Sequence, residues 1–240
     1  MARVALVTGG QRGIGAAISE GLQKAGRTVA ASYAGNDAAA EAFTKRTGIP
    51  CYKFDVADFK QCADAIKRIE DEVGTVEILV NNAGITRDAT MKRLTREQWD
   101  AVIDTNLGSC YNTCKLVWEG MTARQFGRIV NIGSVNGQAG QYGQVNYAAA
   151  KSGIHVFTKA LAQEGARSQI TVNAIAPGYV DTEMVRAVPP DVLEKIVARI
   201  PRGRLGTAED IARGVVFLTA DEADFITGST LSINGGQHMY

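Results

Sequence analysis

Val4-Ala5-Leu6-Val7-Thr8-Gly9-Gly10-Gln11-Arg12-Gly13-Ile14-Gly15 is the stretch that decides the architecture. Four apolar residues in a row are too few for a signal-peptide core or a membrane helix, and read as a buried β-strand. The glycines behind them let the backbone turn tightly and approach a ligand closely. A helix over about 16–25 then offers its first-turn N–H groups, which have no partner inside the helix and suit a pyrophosphate. The spacing is Gly9-x-x-x-Gly13-x-Gly15, not G-x-G-x-x-G. Strand, glycine loop and helix in that order predict a parallel sheet that binds a dinucleotide beyond its carboxyl edge.

The alternation continues to the end of the chain. Strands are predicted at 28–32, 51–54, 77–80, 128–132, 170–175 and 229–233. Helices are predicted at about 38–46, 59–72, 96–118, 146–164 and 208–219, with short ones between 183 and 206. In the helix over 96–118, Trp99, Val102, Ile103 and Leu107 fall at core spacing. No Pro/Ser-rich linker or repeat interrupts the 240 residues, so a single α/β domain over 1–240 is expected, a doubly wound parallel sheet with helices on both faces. An NAD site usually has a carboxylate at the end of its second strand. Here Ser32 and Tyr33 are neutral and Asp37 comes later, while Arg12 stands where it could pair with a 2′-phosphate. That combination points to NADP(H).

Composition narrows the field. With 26 basic and 25 acidic residues the net charge is +1, which argues for neither nucleic acid nor an anionic membrane. No apolar run approaches the ~20 residues of a membrane helix. Cys51, Cys62, Cys110 and Cys114 show no zinc spacing, and His155 and His238 are the only histidines, so no metal site is expected. Reduced thiols fit a cytoplasmic protein.

The chemistry lies in Asn131-Ile132-Gly133-Ser134 and Asn146-Tyr147-Ala148-Ala149-Ala150-Lys151. Tyr147 and Lys151 share one helix face, where an ammonium is expected to lower the phenol's pKa and ready it for proton transfer at a carbonyl oxygen. Ser134, at a strand end, supplies a second hydrogen bond. Tyr111-Asn112-Thr113-Cys114-Lys115 repeats the spacing without an upstream serine, and reads as a helix-surface contact.

Taken together, these residues resemble the short-chain dehydrogenase/reductase family over essentially the whole chain. The resemblance implies a Rossmann-like fold and a Ser134-Tyr147-Lys151-Asn106 tetrad, with Asn106 holding a water against Lys151. It implies a cofactor site made of Gly9, Gln11, Arg12, Gly13, Ile14, Gly15, Tyr33, Asp55, Val56, Asn82, Ala83, Gly84, Tyr147, Lys151, Pro177, Gly178, Val180 and Thr182. Asp55 and Val56 would meet the adenine, Val180 the nicotinamide carboxamide and Thr182 a phosphate. A substrate lid over about 183–206 and a homotetramer built on 96–118, 146–164 and 229–240 follow from the same resemblance. Within the family the chain is most similar to the acetoacetyl-CoA reductase branch. That implies NADPH-dependent reduction of a 3-ketoacyl-CoA thioester, feeding polyhydroxyalkanoate synthesis, with Asp88, Arg93, Gln141, Tyr142, Gln144 and Tyr179 at the substrate. Arg93 departs from the lysine usual there, and Gly133 from the common serine. The alternatives are a 3-oxoacyl-[acyl-carrier-protein] reductase, whose docking arginines would fall at the neutral Gln125 and Ser168 with Arg124 and Arg167 beside them, and a non-catalytic NADP(H)-binding protein. The lid's Arg186, Lys195, Arg199 and Arg202 read equally as contacts for coenzyme A phosphates and as the solvated face of a helix-rich lid.

Overall fold

A computed structural model describes residues 2–186 and 190–239, without the side chains of Met184 and Arg186; Met1, 187–189 and Tyr240 lie outside it. The first strand, β1 (Val4–Val7), is buried along its whole length. It leads through the glycine loop to α1 (Gly13–Lys24), then β2 (Thr28–Tyr33), α2 (Asp37–Thr47), β3 (Cys51–Lys53), α3 (Phe59–Glu72) and β4 (Val76–Asn81). The second half runs α4 (Arg96–Ile103), α5 (Ser109–Arg124), β5 (Gly127–Ile132), α6 (Val135–Ala139), α7 (Val145–Gly165) and β6 (Ile170–Pro177). After it come α8 (Glu183–Arg186), α9 (Pro190–Val197), α10 (Ala208–Leu218) and β7 (Thr230–Ile233). All pairings are parallel, in the order β3-β2-β1-β4-β5-β6-β7.

Strand side chains alternate between two cores, as a period of two requires. Ala5, Val7, Ile78, Val80, Val130 and Ile132 meet Ile18 and Leu22 of α1 and Ile211 and Val215 of α10. Leu6, Leu79 and Ile129 face the other way, toward Ile66 and Ile69 of α3 and Val117 and Met121 of α5. Because both faces are covered, the strands are continuous apolar runs, and every connection crosses from one strand's carboxyl end to the next strand's amino end.

Two departures from the sequence reading bear on the site. The helix predicted over 96–118 is two helices joined by a π-helical turn, Asp104–Gly108. Its start is fixed by a capping box between Thr95 and Gln98, and α5 ends at Gln125 in the left-handed region (φ 54°). Val102 is buried, but Trp99, Ile103 and Leu107 are only half-buried. The second departure is α6, a helix with no hydrophobic periodicity to betray it, which begins directly after Ser134.

At the middle of the sheet, neighbours Asn81 and Asn131 carry a buried polar chain. Thr113 Oγ1 donates to Asn81 Oδ1 (2.7 Å), Asn81 Nδ2 to Asn131 Oδ1 (2.9 Å) and Asn131 Nδ2 to Thr158 Oγ1 (2.9 Å). Fully satisfied, such a chain fixes α5, β4, β5 and α7 in one register. No helix among the described residues is long and apolar enough to cross a membrane.

Candidate active site

The glycines of the first loop answer to two constraints, backbone conformation and close approach. Gly9 (φ 61°) and Gly13 (φ 51°) adopt the left-handed region. A Cβ on Gly15 would run into the Gly9 carbonyl and come within 2.6 Å of Asn82 Nδ2. That amide donates to the carbonyls of Thr8 (2.9 Å) and Gly9 (3.2 Å), and Thr8 Oγ1 accepts from the N–H groups of Asn82 and Ala83, both at 3.0 Å. The Asn82-Ala83 segment therefore clamps the loop. The start of α1 is left open: Arg12 is its exposed N-cap residue and makes no side-chain cap bond. A Cβ on Gly13 would find only Thr182 Cγ2 at 3.9 Å. Ile14 is half-buried and Gln11 buried, with its Oε1 unpartnered. An open, cationic helix start with a shape reserved by glycines fits a dinucleotide pyrophosphate.

At the end of β2, Tyr33 hydrogen-bonds Asp37, whose carboxylate also accepts from Lys53 Nζ at 2.8 Å. Lys53 holds the Asp37 carboxyl below its ordinary pKa, with the Tyr33 hydrogen bond adding to the effect. Asp55 accepts from the N–H of Ala57, and Val56 beside it is buried.

The four candidate catalytic residues come from three places and converge. Ser134 is the N-cap of α6 and accepts from the N–H of Asn136 at 3.1 Å. Its hydroxyl also hydrogen-bonds the Tyr147 phenol. Lys151, one turn along α7, is buried and donates to the Ile132 carbonyl at 2.7 Å. Asn106 sits on the π turn, accepting from the N–H of Ile85 (3.2 Å) and donating to the carbonyls of Ile85 (2.9 Å) and Val102 (2.8 Å). Gly84 lies between: a Cβ there would strike Asn106 Oδ1 and come 3.7 Å from Lys151 Nζ.

The phenol's electrostatics correct the sequence expectation. Burial pushes the Tyr147 pKa up, Asp88 and Tyr179 add to it, and only the Ser134 hydrogen bond opposes. Lys151 does not lower it, because the ammonium is turned onto the Ile132 carbonyl, 5.7 Å from the centre of the tyrosine ring. Burial instead pushes Lys151 itself down to about 8.

Of the candidate substrate residues, the structure joins two directly. Gln144 Nε2 donates to Asp88 Oδ2 at 2.7 Å. The Tyr179 phenol opposes ionisation of Tyr147, whereas Arg93, Gln141 and Tyr142 are exposed. Pro177 closes β6, and Gly178 lets the chain pass Asn234, whose Cα a Cβ would meet at 2.8 Å. Val180 is buried and pairs with Gly206; the Gly206 N–H donates to the Tyr179 carbonyl (2.9 Å) and the Asp181 N–H to the Gly206 carbonyl (2.8 Å). Thr182 is half-buried beside the loop. The Arg186 side chain lies outside the described residues. No group of metal-ligating side chains occurs among the described residues.

Sequence reasoning missed several supports. Asn146 Oδ1 accepts from the Tyr147 N–H (2.8 Å) while its Nδ2 donates to the Arg87 carbonyl (3.0 Å), so it aims the start of α7. His155 fills the space that a side chain at Gly133 would take. Thr8 and Asn146 adjoin recognised motifs, and that adjacency was the available signal.

A family model described as enoyl-(acyl carrier protein) reductase matches residues 9–238. The chain is 62% identical to an acetoacetyl-CoA reductase of Rhizobium meliloti over all of both chains. It is 49% identical to one of Cupriavidus necator, over 99% of this chain and 98% of that one. It is also 44% identical to a 3-oxoacyl-[acyl-carrier-protein] reductase of Vibrio harveyi, with the same coverage. A glycine loop that suits a pyrophosphate, a tyrosine and lysine brought to a strand-end serine, and full-length similarity to reductases agree: the chain belongs to the short-chain dehydrogenase/reductase family of nicotinamide-dependent oxidoreductases.

Proposed function

We propose that the chain reduces 3-ketoacyl-CoA thioesters, acetoacetyl-CoA first among them, to (R)-3-hydroxyacyl-CoA at the expense of NADPH, and so feeds polyhydroxyalkanoate synthesis. The observation that carries the reading is the Tyr147 hydroxyl, held by Ser134 and kept protonated by burial at the carboxyl edge of the sheet. A reduced nicotinamide supplies the hydride that the carbonyl carbon takes up. Tyr147 gives its proton to the carbonyl oxygen, and Ser134 donates a hydrogen bond to the same oxygen. At neutral pH the phenol therefore holds a proton to give. Once the proton has left, the Ser134 hydrogen bond is what stabilises the phenolate. Asn106, packed against Gly84 beside Lys151, would hold the water that restores the proton.

NADPH is favoured over NADH because Asp37, the carboxylate nearest the end of β2, is occupied by Lys53 and Tyr33, while Arg12 is exposed beside the loop. Arg12→Ala should weaken NADPH more than NADH, as measured by fluorescence titration. The CoA thioester is favoured over the carrier protein by Arg124. Its guanidinium is drawn inward onto the Val76 carbonyl at 2.8 Å, which directs the charge away from the surface beside the neutral Gln125. The deciding assay is NADPH oxidation with acetoacetyl-CoA against acetoacetyl carrier protein at matched concentrations. Higher kcat/KM for the carrier substrate would put fatty acid synthesis in place of this reading. A cytoplasmic homotetramer with the segment 183–206 as substrate lid completes the proposal; light scattering near the 25.5 kDa monomer mass would refute the tetramer.

A further inference from the structure

Three segments near Tyr147 are joined by a relay of side chains. Asn136 Nδ2 donates to Gln144 Oε1 at 2.9 Å, and Gln144 Nε2 donates to Asp88 Oδ2 at 2.7 Å. Asn136 belongs to α6, just after β5, Gln144 is the residue before α7, and Asp88 lies in the loop after β4. At the other end, the Asn136 N–H donates to Ser134 Oγ, which in turn hydrogen-bonds Tyr147. The chain has one direction. A carboxylate only accepts, so Asp88 fixes which end of the Gln144 amide faces it, and Gln144 then fixes the Asn136 amide. Gln144 is free for this task because its side chain does not cap α7. A backbone contact reinforces the junction, with the Ala89 N–H donating to the Gly143 carbonyl at 2.9 Å.

We propose that Asn136 is a positioning residue of this active site: through Gln144 it holds the Asp88 carboxylate in place beside Tyr147. The inference rests on Tyr147 being the proton donor. Asp88 is exposed, and a free loop carboxylate would be averaged over many positions and screened by solvent. Tied by the strap, it presents a fixed negative charge to the phenol. The groups facing Tyr147 are Ser134 after β5, Asp88 after β4, Tyr179 after β6 and Lys151 on its own helix. Of these, Ser134 favours the phenolate, while Asp88 and Tyr179 favour the phenol. Asp88 and Gln144 thus serve the donor's protonation state, besides any contact with substrate.

The test is a titration of Tyr147 itself, by NMR of protein labelled with 13C at the tyrosine ring carbon, with Tyr147→Phe to assign the resonance. Asp88→Asn keeps an acceptor for Gln144 but removes the charge, and should move the Tyr147 midpoint to lower pH. Asn136→Ala keeps the backbone N–H to Ser134 and breaks only the strap. It should move the midpoint in the same direction, and in the Asp88→Asn background it should add nothing. Gln144→Met cuts the strap at its middle and should behave alike, which covers the case of an Asn136 variant that does not fold. In the reductase assay Asn136→Ala should lose about tenfold in kcat, with the alkaline limb moved to lower pH and the KM for NADPH nearly unchanged. A midpoint that stays at the wild-type value in the strap variants, or that shifts equally without Asp88, overturns the proposal. The titration needs no substrate. If wild-type protein fails to reduce any 3-ketoacyl thioester, the functional reading falls while the strap is still decided.

Discussion

Two helices of this protein carry a tyrosine four residues ahead of a lysine, and their fates differ. On α7, Lys151 is buried against the Ile132 carbonyl and Tyr147 meets Ser134. On α5, Tyr111 is 56% exposed and stacks on Phe59 with ring centres 6.5 Å apart, and Lys115 is exposed. Spacing gives each pair a common helix face. What it does not give is the direction of that face. The first turns of α7 lie against the carboxyl ends of β5 and β6, where a parallel sheet gathers its ligands; the α5 pair looks outward. Chemistry at such a pair comes from what the sheet edge places opposite it.

Breaking the two pairs in parallel sharpens this. The largest effect belongs to the hydroxyls. Tyr147→Phe should lower kcat for acetoacetyl-CoA reduction by about 10²-fold or more, while Tyr111→Phe stays within about twofold. Comparable losses from both, in steady-state NADPH oxidation, would erase the distinction.

The lysines should differ in stability as well as in rate. Folding depresses the Lys151 pKa to about 8, so between there and its ordinary 10.5 the unfolded chain binds more protons than the folded one. Stability therefore rises with pH across that window, and the burial cost is at its fullest below pH 8. Lys151→Met should be more stable than wild type at pH 7, by about 1–3 kcal/mol, with the gap closing toward pH 10.5. Lys115→Met should show no such pH-dependent gap. Urea unfolding at pH 7, 9 and 10.5 reads both; a Lys151→Met protein less stable at pH 7 would contradict the buried-cation account.

The smallest effects concern a glycine beside each pair. Gly84→Ala would press a methyl into Asn106 and toward Lys151, and should cost about tenfold in kcat. A Cβ on Gly108 meets nothing closer than the Ile103 carbonyl at 3.8 Å. Gly108→Ala should leave the rate intact and stabilise the helix by about 0.5–1 kcal/mol in thermal unfolding. An inactive Gly108→Ala would mean that the π turn transmits to Asn106 more than the contacts show.

The strands and glycine loop were legible in the sequence because their signals are local: apolar runs in β1 and β6, and glycines where Gly9 and Gly13 turn left-handed. The tetrad residues were legible through motif and resemblance, and the structure brings Ser134 and Tyr147 into contact. What escaped depends on partners far along the chain. The strap ends on a Gln144–Asp88 bond that spans 56 positions, through a glutamine whose neighbours say nothing of it, and the Asn81–Asn131 bond spans 50 positions. The π turn escaped because a five-residue turn leaves the apolar residues on either side at nearly helical spacing. The direction of the Tyr147 shift escaped for an energetic reason. Spacing placed Lys151 beside the ring but could not weigh burial against it, nor foresee that Ile132 would claim the ammonium.

The small clasp of Tyr179 and Asp181 with Gly206 has a consequence for how this chain can diversify. It brings the two ends of the intervening segment together before any residue of that segment takes a position. Lengthening a loop whose ends already meet costs only logarithmically, about 0.6 kcal/mol for each doubling. Insertions and rewritten sequences early in that segment, before the buried Ile200 and the Arg202 N–H that donates to the Gly235 carbonyl, can thus accumulate without disturbing the sheet. New substrate preferences can be explored there while the glycine loop and the proton donor stay as they are.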